Sequence, residues 1–227
     1  MKTTLNLLRI VLIIFLLLVI AYSGFKIVNI FKDYHDVTVA NEEAEEKYVS
    51  VNTDGIPVVD FEQLSAVNPD IVAWIYIPDT NVSFPVLRGS DNATYLHNDY
   101  RGLYSFAGSI FMDVNCSADF SDIETMIYGH NMHNGSMFGR LKKFEDEDYR
   151  KAHEEVYILL PDGHYIEYKA ASGEYISIEN DVYLLPKTGG DPETMVLSTC
   201  TDDSSDTIRF VLICKYEGKH KIKKNNN

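Results

Sequence analysis

The sequence predicts a mainly β domain, a barrel or sandwich, behind one membrane-spanning helix. Three observations predict it. Residues 10–25 carry no charge and are dominated by Ile, Leu and Val. From residue 71 onward the chain breaks into short apolar, β-branched runs with turn signals at close spacing. No internal repeat and no second long apolar segment is visible. With 227 residues, 45% of them hydrophobic, a sizeable core is available, and one domain is the natural count after the N-terminal segment.

The elements follow in order. Residues 5–30 are long enough to span a bilayer, with Arg9 and Lys26 snorkelling toward the headgroups. Lys2 and Arg9 precede the apolar core, which favours a cytoplasmic N-terminus. Ala21-Tyr22-Ser23 is a passable cleavage site, but the apolar character continues past it through Phe31, which favours an uncleaved signal anchor over residues 1–32. Residues 33–55, with Glu42, Glu43, Glu45 and Glu46, read as a polar stalk, helical in part. Asp60 caps a short helix that Asn68-Pro69 stops. Strands are expected over 71–77, 82–87, 109–112 and 123–128, and Asp91 caps a helical turn reaching Tyr95 and Leu96. Met137, Phe138, Leu141 and Phe144 recur at helical spacing after Asn134 or Ser136. Pro161-Asp162-Gly163 joins strands 156–160 and 165–171. The β-rich domain is thus bounded at 56–216, and the charged, Asn-ending tail 217–227 is expected to be disordered.

The most informative stretch is 194–216. Met195 to Thr199 is a buried-strand run, Thr201 to Asp206 a polar turn, and Thr207 to Tyr216 a second strand. If Cys200 pairs with Thr207, Ser198 lies opposite Arg209, and these four share one face. Cys200 and Arg209 are then diagonal neighbours. A thiol beside a guanidinium is a nucleophile with an oxyanion partner; alternatively the thiol is core and the Arg a surface charge. A thiol nucleophile needs an acid or base. Of seven His, His130 stands out because it ends an apolar strand after Gly129.

Several classes are excluded. Residues 1–32 hold four of the 20 basic residues and no acidic ones, so the remainder has 16 against 34 acidic, a net charge of −18. That argues against a nucleic-acid partner. Three Cys with no C-x-x-C, and no His spaced for zinc, give no metal site and no cofactor. Cys214 reads as core, and a Cys116–Cys214 disulfide stays open. No G-x-S-x-G or S-x-x-K surrounds Ser198, Thr199 or Thr201.

Together these residues resemble a known family. L-S-T-C (197–200), an Arg nine residues on, and a strand ending Gly129-His130 are similar to the sortases. N-P-D-I-V-A-W-I-Y-I-P-D-T (68–80), F-P-V (84–86), D-N-A-T-Y-L (91–96), A-G-S-I-F-M-D (107–113) and G-H-N-M-H-N-G-S-M-F-G-R-L-K-K-F (129–144) resemble class B more narrowly. The resemblance covers about residues 60–216. It implies an eight-stranded β-barrel with a few peripheral helices, preceded by one transmembrane helix, and a catalytic triad of His130, Cys200 and Arg209. It further implies Asn92, Leu96 and Ser198 along a peptide groove. The implied partners are secreted proteins bearing an x-P-x-T-x sorting motif, a peptidoglycan amine, and the cell membrane, with the domain on the outer face.

Two features depart from the class B pattern. The segment between Ile178 and Met195 is short where class B carries a helix-bearing loop. Residues 185–189 read L-P-K-T-G, a sorting-type pentapeptide with no apolar span or basic tail after it. Two rival function classes are a cell-wall thiol hydrolase without transfer and a non-catalytic surface-binding domain.

Overall fold

The computed structural model describes residues 2–52, 55–179, 186–200 and 207–223. A long helix, α1 (Lys2–Tyr48), leads into two short paired strands, β1 (Val49–Val51) and β2 (Pro57–Val59), and a helix, α2 (Phe61–Val67). Eight further strands follow: β3 (Ile71–Ile77), β4 (Val82–Leu87), β5 (Ile110–Met112), β6 (Glu124–Tyr128), β7 (Glu155–Leu159), β8 (His164–Ser177), β9 (Thr194–Cys200) and β10 (Ile208–Lys221). They close into an eight-stranded barrel, as the family resemblance implies, in the order β10-β8-β7-β3-β4-β5-β6-β9. A short helix, α3 (Glu147–Ala152), packs outside it.

Local chemistry explains most boundaries. The Asp60 carboxylate accepts the Gln63 N–H and caps α2, and Asn68 ends it. Asp79, at φ 56°, turns β3 into β4. Strand alternation sorts β3 between two cores. Ala73, Ile75 and Ile77 join the main core with Phe84, Met112, Leu197 and Phe210. Trp74 faces a second core under the helices, with Ala44, Tyr48, Leu64 and Leu87. Its indole N–H donates to Ser83 Oγ at 3.1 Å.

Three expectations need correction. The apolar set from Met137 to Phe144 does not form one helix. Met137 sits at φ 51°, and a Cβ on Gly139 would strike the Met132 carbonyl oxygen, so the chain stays in turns until a 3₁₀ helix over Leu141–Glu145 and then α3. Residues 33–48 are not a solvated stalk. They continue α1, and Val37, Ala40, Ala44 and Tyr48 are buried against the barrel at helical spacing. The tail is not wholly disordered: β10 runs on to Lys221, paired with His164. Cys116 and Cys214 are buried and free, so they form no disulfide.

The docking of α1 is testable. Ala44 is fully buried beside Trp74, whereas the adjacent Glu45 is exposed. Ala44→Glu would bury an unpaired carboxylate and should cost roughly 2 kcal/mol or more. For a chain of this size that lowers Tm by about 5 °C, while Glu45→Ala should leave it unchanged. Equal Tm values for the two variants would mean that α1 does not pack as described.

Candidate active site

The site is built where β6 and β9 end together. They pair in parallel, with Tyr128 level with Ser198, and the Gly129 N–H donates to the Ser198 carbonyl at 3.1 Å. His130 and Cys200 therefore each follow two residues beyond a matched pair. Gly129 is required here: a Cβ would lie 2.5 Å from Ile110 Cδ1 and 2.7 Å from the Phe138 ring. On the other side of β9, Cys200 pairs directly with Arg209, and Ser198 with Val211. This corrects the expected register, Cys200 with Thr207, by two residues. The hydrophobic alternation of β10 is the same in either register, so the faces are preserved and only the pairing moves. Cys200 and Arg209 are thus directly opposite on one face, not diagonal. The Cys200 side chain and the turn 201–206 lie outside the described residues.

Around this junction is a cleft. His130, Arg209, Asn92, Leu96 and Ser198 all line it, together with Phe111, Tyr128, Gly129, Ile178 and Thr199. Every site residue expected from sequence and described here therefore meets in one place. Phe111, Tyr128 and Ile178 do not stand out as site residues in the sequence. Their only signal was position: each lies within two residues of a strand end or turn, with no chemistry of its own to mark it. The Thr199 hydroxyl is buried and has no partner among the described residues.

The His130 ring is held from below. Its Nε2 lies 2.9 Å from the Leu96 carbonyl oxygen. A carbonyl only accepts, so Nε2 carries the hydrogen and donates, leaving Nδ1 as the basic nitrogen of the neutral ring. His97 lies over the same ring, with centroids 6.0 Å apart. Leu96 is in turn fixed by its neighbour. The Tyr95 hydroxyl donates to Asp70 at 2.7 Å and accepts from the Asn68 amide at 3.0 Å, and burial pushes its pKa up to about 12. Asp91 accepts the Thr94 N–H at 2.7 Å and so tightens the same turn.

Asn92 is committed on both sides of its amide. Its Oδ1 accepts the Val114 N–H and its Nδ2 donates to Asp113, both at 2.8 Å. Asp113 also accepts the Tyr128 hydroxyl at 2.9 Å. Asn92 thus ties the 91–96 turn to β5 and β6 as well as lining the cleft. Arg209 donates one N–H to the Ile208 carbonyl at 3.0 Å and lines the cleft.

The L-P-K-T-G stretch lies elsewhere. Leu185 is outside the described residues. The Lys187 carbonyl accepts the Glu124 N–H at 3.1 Å, and the Gly189 N–H donates to the Asp122 carboxylate at 3.2 Å. Both contacts are at the start of β6, and His130 is six residues further, roughly 20 Å along an extended chain.

A closed eight-stranded barrel, with these cleft residues at the end of two parallel strands, defines the class of protein. The chain matches the sortase domain family over residues 75–217 and belongs to that family, whose members are cysteine transpeptidases. Its relatives are of class B. It is 37% identical to sortase B of Listeria monocytogenes over 140 residues, which is 60% of this chain and 56% of that protein. It is 25% identical to sortase B of Staphylococcus aureus over 228 residues, 88% of this chain and 92% of that one. The crystal structure of sortase B from Bacillus anthracis in complex with AAEK1 superposes with a TM-score of 0.66 at 26% identity, covering 84% of this chain and 99% of that one.

Two predictions come from this geometry. Gly108 sits at φ 57°, and an added Cβ would lie 2.5 Å from the Leu96 carbonyl oxygen. Gly108→Ala must therefore move the one backbone acceptor that orients His130. Peptide cleavage should fall by at least about tenfold, about 1.4 kcal/mol in the barrier, and unchanged kcat/KM would disconnect Leu96 from the site. The second concerns thiols. Burial pushes the Cys116 pKa up to about 11 and raises that of Cys214 further. The thiolate is the reactive form, so neither should react near neutral pH. A thiol reagent should label one site per folded chain and three after denaturation, read by intact mass; two labels on the folded protein would contradict the burial.

Proposed function

We propose that this chain is a membrane-anchored transpeptidase of cell-surface proteins. The observation that carries the reading is that His130 and Arg209 line one cleft at the end of β9, where Cys200 stands opposite Arg209. In this reading the Cys200 thiolate attacks the Thr carbonyl of an x-P-x-T-x motif near the C-terminus of a secreted protein. The tetrahedral oxyanion is held by the guanidinium of Arg209, and His130 protonates the leaving amine. A thioester remains. A peptidoglycan amine, deprotonated by His130, then attacks it and releases the thiolate. The Leu96 carbonyl, accepting from Nε2–H, favours the imidazolium, which is spent on the leaving amine and formed again when the incoming amine gives up its proton. Free Cys and His titrate near about 8.5 and 6.5, so a minority of molecules in the thiolate–imidazolium form suffices at neutral pH. Asn92, Leu96 and Ser198 contact the bound peptide. The apolar first part of α1 spans the membrane and leaves the barrel outside. The range over which α1 can cross a membrane by length and composition begins at Arg9.

The test uses the full chain in detergent, a library of x-P-x-T-x peptides, and an oligoglycine amine. Mass spectrometry should find the new amide. Free carboxylate alone, with amine in excess, would make the protein a hydrolase. Cys200→Ala should abolish turnover without lowering Tm, and turnover retained in that variant would end the reading. Arg209→Lys keeps the charge but loses the planar fork. It should cost roughly a hundredfold to a thousandfold in kcat/KM. A Lys variant within about twofold of wild type, well under 1 kcal/mol, would remove Arg209 from the site.

A further inference from the structure

We propose that the loop connecting β4 and β5, through Leu103 and Tyr104, dips into the lipid headgroup zone beside α1 and seats the barrel on the membrane. The proposal rests on the reading that α1 spans the bilayer. Tyr104 is 81% exposed, the most exposed large hydrophobic side chain among the described residues, and Leu103 beside it is 58% exposed. Outside the apolar part of α1, no other two adjacent large hydrophobics are so exposed among the described residues.

Their position says what covers them. The exposed apolar run of α1 ends at Ile30 and Phe31. Three residues later the Tyr34 ring meets Phe106 edge-on, with centroids 5.0 Å apart. Tyr104, Arg101 and Asp33 line one cleft between the helix and the loop. The helix rises about 1.5 Å per residue, so this contact stands about 5 Å beyond the apolar span. The headgroup zone on each side of a bilayer is roughly 5–8 Å deep. A Tyr and a Leu at that height occupy the interface, where amphipathic aromatic rings are favoured. The charges there are balanced in part: Arg101 is paired with Asp99 at 2.6 Å and lines the same cleft as Asp33 and Asp36.

The loop also leads to the cleft. The Ser105 N–H donates to the His97 carbonyl at 2.9 Å, and Asn98 bridges Tyr104. The residue before His97 is Leu96, whose carbonyl holds His130. Seating this loop therefore fixes the height of the cleft above the membrane.

The experiment is depth-dependent quenching. The one natural Trp, Trp74, is fully buried and gives a constant background. Three full-chain variants, Phe31→Trp, Tyr104→Trp and Val51→Trp, are reconstituted in phosphatidylcholine–phosphatidylglycerol vesicles with or without brominated phosphatidylcholine. Val51 is 63% exposed and lies past the far end of α1, about 20 Å along the helix from Tyr34. Loss of the added emission in Phe31→Trp and Tyr104→Trp, but not in Val51→Trp, is the expected result. Quenching of Phe31→Trp without Tyr104→Trp overturns the docking and leaves the spanning helix intact. No quenching of Phe31→Trp overturns the spanning helix, and the docking with it. Equal quenching of Tyr104→Trp and Val51→Trp means the barrel lies on its side, which also overturns it.

Discussion

β6 and β9 run parallel, in register to their last paired residues, and everything at the cleft depends on that pairing. Tyr128 is level with Ser198, so the residues two positions beyond each, His130 and Cys200, leave the sheet at the same height. Parallel neighbours need a long crossover. Here the connection from β6 to β9 passes through the 3₁₀ turn, α3, β7 and β8. The pairing holds because the barrel closes: β9 is flanked by β6 and β10, and β10 by β8. Residues 130 and 200, 70 positions apart in the chain, are brought to the same height by main-chain hydrogen bonds. Strand pairing alone supplies this alignment, which is what a preorganised site requires.

Arg209 reaches the cleft by a different route. It lies on the antiparallel neighbour of β9, opposite Cys200. The strand that carries it is anchored by Phe210, Leu212 and Cys214, all fully buried. Packing of that face fixes the origin of the Arg209 side chain, which donates to the Ile208 carbonyl and lines the cleft. Charge at the site is thus positioned by apolar burial elsewhere on the same strand.

The legible and illegible parts of the sequence divide along a physical line. Strands with β-branched runs and Asp, Asn or Gly turns were readable one by one, because their causes are local. The pairing of Gly129-His130 with β9 was not, since nothing local encodes a parallel contact between distant strands. The β9–β10 register was read two residues short because the alternation of Phe210, Leu212 and Cys214 fits both registers equally. Gly108 carried no visible signal either. Its role is to let Leu96 approach, and a missing Cβ is noticed only once the neighbour is in place. The resemblance to a family supplied the grouping of His130, Cys200 and Arg209 that residue patterns alone left open.

The same line explains why residues 33–48 were misread. Their composition is acidic, and the buried stripe is made of Val37, Ala40, Ala44 and Tyr48. Two of these four are alanines, which add little to a hydropathy profile yet let a helix backbone come close to a sheet. The four Glu residues on the other faces dominate the composition and suggest a solvated segment. Alanine and glutamate are both good helix formers, so the helix persists through that stretch without needing a strong apolar face. The consequence is mechanical. A flexible polar tether would let the barrel sample many heights and orientations. A continuous helix docked at four positions lets it sample few. Whatever the barrel acts on must then arrive at a cleft whose place relative to α1 is already set by packing.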